Sequence, residues 1–122
     1  MARARIADAD GDSAVSAALA GADRATTATA VRYLLQLLGE RSGGNSVEVR
    51  VPPFGAVQCI AGPRHTRGTP PNVVEMAPEV WLAVATGSRP FADAVRAGEV
   101  RASGTRADLT GHVPLWRAPV SR

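Results

Sequence analysis

The chain has 122 residues, a formal charge of +3 and 45% hydrophobic residues, which suits one domain burying about two-thirds of its unfolded surface in a single core. All fourteen basic residues are Arg, so the high pI comes from a side chain that hardly titrates; with the Arg scattered and aromatics at 4%, a nucleic-acid groove is not expected. The single cysteine excludes an intrachain disulfide framework and points to a reducing compartment.

At the N-terminus, Asp8, Asp10 and Asp12 interrupt any apolar run, so no signal peptide is expected. No stretch approaches 18 apolar residues, so no membrane-spanning helix is expected and the simplest location is cytoplasmic. Residues 1–11 alternate Ala with Arg and Asp and read as a frayed arm. Asp12 or Ser13 suits the cap of a short helix with Val15, Ala18, Leu19 and Ala22 on one face. Residues 1–25 thus read as a flexible Ala-rich arm carrying at most a short helix.

Residues 26–41 give a much clearer pattern. Thr26 or Thr27 fits an N-cap, and Val31, Leu34, Leu35 and Leu38 recur at i, i+3, i+4 and i+7. Arg32, Gln36 and Glu40 lie on the other side at i, i+4 spacing, and Gly43-Gly44 stop the helix. Its leucine stripe should lie on a sheet. In residues 46–60, Val47, Val49 and Val51 alternate with Glu48 and Arg50, the two-residue period of a strand with one apolar face. Pro52-Pro53 end that strand. Residues 56–60 are apolar on both faces except for Gln58, which predicts a central strand covered on both sides. A turn-rich stretch over 62–71 leads to a third strand, residues 72–76.

Pro78 suits a first helical position, with Trp81, Leu82 and Ala85 inward up to Gly87. Pro90 starts another helix, with Phe91, Ala94 and Val95 inward and Gly98 as its stop. Residues 99–103 alternate again as a fourth strand. Thr105 or Asp108 fits the cap of a last turn carrying Leu109. The elements together predict an α+β domain over 26–116 with a tail at 117–122.

Catalytic constellations are scarce. His65 and His112 are the only histidines and Cys59 the only thiol, with no metal-ligand spacing, phosphate loop or nucleophile elbow. Cys59 sits in an apolar strand, where a thiol is usually an inert core residue. Neither an enzyme nor a metal or cofactor site is expected. The polar cluster of residues 63–72 offers Arg64, His65, Thr66 and Arg67 as donors for a carboxylate or phosphate, or simply forms a Pro-stiffened connection.

Read in order, Trp81-Leu82, Gly87, residues 91–94 (FADA), residues 98–101 (GEVR), Gly104 and Leu109 resemble the sterol carrier protein family. The stretches AVRYLLQLLGERSGG, SVEVRVPPFGAVQCI and GPRHTRGTPPNVVEM resemble its bacterial stand-alone branch. The resemblance covers residues 26–116. One departure is Thr105, where the family commonly has Asp after the glycine. The resemblance implies a mainly antiparallel five-stranded sheet covered by helices, with an apolar tunnel for fatty acyl chains, sterols or other lipids. It places Phe54, Trp81, Leu82, Phe91, Leu109 and Trp116 along that tunnel, with Arg64 and Arg67 as head-group candidates. The implied function is a non-catalytic lipid carrier, its partner an apolar small molecule; transient membrane contact and the oligomeric state stay open. The alternative is an accessory or protein-interaction module of the same fold whose tunnel is filled by side chains, and the third and last reading is an enzyme that uses Cys59 or the Arg64–Arg67 loop.

Overall fold

The computed structural model describes residues 4–62 and 72–118. In chain order it contains α1 (Asp8–Leu19), α2 (Arg24–Arg41), β1 (Val47–Val51), β2 (Gly55–Cys59), β3 (Asn72–Met76), α3 (Pro78–Thr86), α4 (Phe91–Arg96) and β4 (Val100–Ser103). The mixed α+β class follows the sequence pattern. Among the described residues the sheet has four strands rather than five, in the order β2-β1-β3-β4. β1 is antiparallel to β2 and parallel to β3, and β3 is antiparallel to β4.

One face of the sheet carries the core. Val47, Val49 and Val51 of β1 and Val74 and Met76 of β3 are buried together, while Glu48, Arg50 and Glu75 alternate to the other face. That second face carries half-buried side chains, most of them charged, with Arg50 Nε donating to Glu48 Oε1 at 2.5 Å. β2 is an edge strand, contrary to the central position its apolar run suggests. Ala56 and Gln58 are exposed, and only Cys59 is fully buried. Alanine is too small to report which face is covered, so the run imitates a two-sided strand without being one.

α2 is the central helix. Its Val31, Leu34, Leu35 and Leu38 are buried as the periodicity predicts, and Ala28, Ala30, Tyr33 and Leu37 are buried as well. The additional buried face is taken by α1, which packs across it. α2 begins earlier than Thr26: Asp23 is the cap, its Oδ1 accepting from the Thr26 amide at 2.8 Å.

α1 likewise starts at Asp8, before the Asp12 or Ser13 cap expected from sequence. Asp8 and Asp10 in its first turn suit the positive end of the helix dipole. Gly11, Ala14 and Val15 are buried against α2, whereas Leu19 points out, 48% exposed. Gly11 is small for a packing reason: a Cβ there would overlap the Tyr33 ring.

On the other flank, Pro78 opens α3 and Gly87, at φ 86°, closes it in the left-handed region that glycine favours. In α4, Phe91 and Ala94 are buried but Val95 is 38% exposed, not inward. The segment after β4 forms no helix; Asp108 Oδ1 accepts from the Thr110 amide at 2.9 Å in a side-chain-capped turn. The chain then returns to the helices. The Leu115 amide donates to Ala85 O at 2.7 Å, Arg41 Nη1 to Leu115 O at 2.5 Å, and Trp116 Nε1 to Asp12 Oδ1 at 2.9 Å. These bonds fix Leu115 and Trp116 in the core cluster.

Candidate functional site

The residues expected to share one hollow are spread through the molecule. Trp81 and Leu109 are fully buried, and Leu82 nearly so. Trp81 also donates from Nε1 to Val31 O at 3.3 Å, which fixes the indole against α2. None of these three lines any of the four hollows described below. Phe91 borders two shallow hollows of about 360 and 330 Å³ beside α4. Trp116 borders a polar one of about 440 Å³ with Asp8, Asp12 and Arg41. Phe54 borders the largest. Arg64 and Arg67 lie outside the described residues.

The Phe54 groove holds about 510 Å³ and is open to solvent, a size typical of small-molecule sites. Three pieces of chain form it: residues 4–6, one side of α2, and the turn and edge strand at 54–57. Ile6, Leu35, Phe54 and Val57 give it an apolar surface, and Arg5, Arg32, Gln36 and Glu40 a polar rim. Leu35 belongs to the stripe that packs on the sheet; Arg32, Gln36 and Glu40 belong to the opposite i, i+4 row. Their spacing was visible in the sequence, where it reads as a solvated helix face.

What turns that face into a wall is the N-terminal segment. Gln36 Nε2 donates to Ile6 O at 2.9 Å and Gln36 Oε1 accepts from the Ile6 amide at 2.8 Å. The side-chain amide thereby pairs with both backbone groups of Ile6, as a neighbouring strand would. Arg5 completes the attachment, reaching Glu40 with Nε at 2.6 Å and Nη2 at 2.9 Å, and Asp8 with Nη2 at 3.0 Å. The Arg5 guanidinium accordingly holds the Glu40 carboxyl below its ordinary value. The Tyr33 hydroxyl, and next Arg5, lower Asp8 in the same way. Burial, with Asp8 second, pushes the Tyr33 phenol up to about 12.

At the other end, Arg32 Nε donates to Phe54 O at 2.9 Å. No hydrogen bond among the described residues engages its terminal NH2 groups, so the fork faces the groove with donors to spare. Arg24 lies over the Phe54 ring at 5.1 Å from its centre, within cation–π range. The groove therefore presents an apolar wall with, at one end, a guanidinium that forms no salt bridge among the described residues. It holds no nucleophile and no acid–base pair. Cys59 is buried, and burial pushes its thiol up to about 11. Ser42 Oγ does lie 2.7 Å from His112 Nδ1, but none of the four hollows reaches that pair. Among the described residues no three His, Cys, Asp or Glu side chains cluster as metal ligands would, and no helix is long and apolar enough to cross a membrane.

Residues 23–115 match the family described as bacterial SCP ortholog, the bacterial sterol carrier protein-like domains. The chain belongs to this family. The match begins at the Asp23 cap of α2 and ends at Leu115, so it takes in all four strands, α2, α3 and α4, and leaves out α1. No curated protein matches the chain. The family membership agrees with the mixed α+β fold, and it directs attention to apolar ligands.

Proposed function

We propose that this protein is a non-catalytic carrier of an acyl-chain amphiphile, held in the Phe54 groove rather than in a deep tunnel. The observation that carries this reading is the pairing of an apolar wall with the Arg32 fork in the largest of the four hollows of a sterol carrier protein-like domain. The chain lies along Leu35, Val57 and Ile6, and the carboxylate or phosphate head meets the terminal nitrogens of Arg32 in a two-point contact. Each buried methylene contributes about 0.8 kcal/mol, so roughly eight to ten of them reach micromolar affinity after the costs of association.

Displacement of a fluorescent fatty acid by an unlabelled one tests the proposal. Micromolar binding is expected, with Arg32→Gln weakening a carboxylate about tenfold or more and leaving the matching alcohol nearly unchanged. Absence of binding below about 100 micromolar would reject the carrier reading.

One observation favours a second reading. Five of the six side chains that the family resemblance assigns to a tunnel, all but Phe54, are buried, with Trp81 and Leu109 at zero exposure. An accessory module with a filled interior is what would remain if no amphiphile bound.

A further inference from the structure

We propose that two copies of this chain pair antiparallel along the free edge of β2, about a twofold axis at Val57, and so cover the groove. Among the described residues β2 has a strand on one side only. Its alternate backbone groups therefore point away from β1, and among the described residues no hydrogen bond outside the β1 ladder engages residues 55–59. The residues themselves, GAVQC, carry no charge and no proline. An edge left in that state is a template for another strand. The opposite edge differs: β4 carries Arg101, one of the charged edge residues that discourage such pairing.

The occupant that fits is a second copy, because the edge is complementary to itself. Pairing about Val57 sets Ala56 opposite Gln58 and Gly55 opposite Cys59 of the second copy, with no charge facing a like charge. β2 then ends cleanly, since Ile60 turns to φ 64° and gives its amide to Ser42 O at 2.6 Å. The helices above agree. α2 runs along β2 with Arg32 near Gly55 and Gly39 against Val57, which leaves Glu40 toward the Cys59 end. A twofold axis brings the Arg32 end of one α2 towards the Glu40 end of the other, where the carboxylates of Asp8 and Glu40 lie among the guanidiniums of Arg5 and Arg41. Each groove is lined by residues 54–57 at this same edge, so pairing would join the two into one covered channel floored by both β2 strands. The pairing does not depend on the amphiphile reading; the covered channel as a ligand site does.

Sedimentation of the full chain between about 1 and about 100 micromolar protomer tests the pairing. A rise to twice the chain mass is expected. The Ala56→Lys/Gln58→Lys variant places like charges opposite each other on exposed positions and should stay at the monomer mass with an unchanged circular dichroism spectrum. Mixing it with the Ala56→Glu/Gln58→Glu variant, itself monomeric, should restore the doubled mass. A native chain that stays monomeric throughout, or a doubled mass that persists in the Lys variant, overturns the inference. Fatty-acid displacement on the same samples separates the two proposals. A monomer that binds amphiphile refutes the pairing alone, whereas a charge-sensitive dimer that binds none supports the pairing and removes the carrier reading.

Discussion

Gly11 sits inside α1, where glycine is normally a weakness, and the structure predicts that replacing it makes matters worse. Gly11→Ala gains about 0.5–1 kcal/mol of helix propensity. Against this, the added methyl overlaps the Tyr33 ring. Tyr33 has little room to yield: it is buried, its hydroxyl is tied to Asp8 Oδ1 at 2.9 Å, and α2 holds its backbone. Overpacking of this kind costs about 1–3 kcal/mol, and loss of the hydroxyl bond adds about 1 kcal/mol. Strain wins, and a net loss of about 1–3 kcal/mol follows, or a fall in Tm of roughly 4–10 °C for a chain of this length.

Thermal and urea unfolding of four proteins check the reasoning: native, Gly11→Ala, Tyr33→Ala and the double variant. With Tyr33 truncated the clash is gone, so Gly11→Ala should reverse sign and stabilise by about 0.5–1 kcal/mol. An equal effect in both backgrounds, or a stabilised Gly11→Ala single variant, would refute the packing of α1 on α2.

Leu34→Ala, at a position with no exposure, should cost about 2–5 kcal/mol, and Leu35→Ala, which borders the open groove, should fall at the low end of that range; urea midpoints decide, and a loss under about 0.5 kcal/mol at Leu34 would place the stripe in water. Cys59 should react with a thiol reagent far more slowly in native buffer than in denaturant, because it is buried and its thiol is pushed up to about 11; labelling at the rate of a free peptide would contradict the structure. Asp8→Asn should destabilise the protein at neutral pH and lose that effect in acid. The folded-state carboxyl is depressed by Tyr33 and then Arg5, so its contribution is present above the unfolded value of about 3.9 and is lost as pH falls through the depressed one. Urea unfolding at about pH 7 and about pH 2.5 should show the gap closing, and a gap that widens in acid would refute the Asp8–Tyr33–Arg5 contact.

The parts of the fold legible in the sequence are those where side-chain size and period agree. The Val31–Leu38 stripe, the Val47–Val51 alternation and the Pro78 and Gly87 boundaries of α3 each follow from one local rule. The misreadings share a cause as well. Ala56 and Ala18 are apolar by type but too small to declare a face, so the β2 run looks two-sided and α1 looks loose. Val95 and Leu19 are apolar yet exposed, which a helical wheel alone does not separate from core. The groove was legible only in its components. Its wall depends on Gln36 holding Ile6, thirty positions away in sequence, and no period records a contact made once between a side-chain amide and one backbone unit.

The position of the groove follows from how few aromatics the chain has to close its core. A large aromatic buries about 150–250 Å², worth roughly 4–6 kcal/mol at about 25 cal/mol per Å². Holding even two of them open to line a tunnel would cost as much as the whole stability of a typical domain, about 5–15 kcal/mol. With the described helices on one face of the sheet, the core forms a single layer, and Trp81, Phe91 and Trp116 are all used in it. Phe54 escapes because Pro52 and Pro53 carry it past the end of β1, where it is only partly buried. An apolar surface near the Arg32 guanidinium can therefore persist at the margin of this fold, beside a strand edge that no other described strand pairs with.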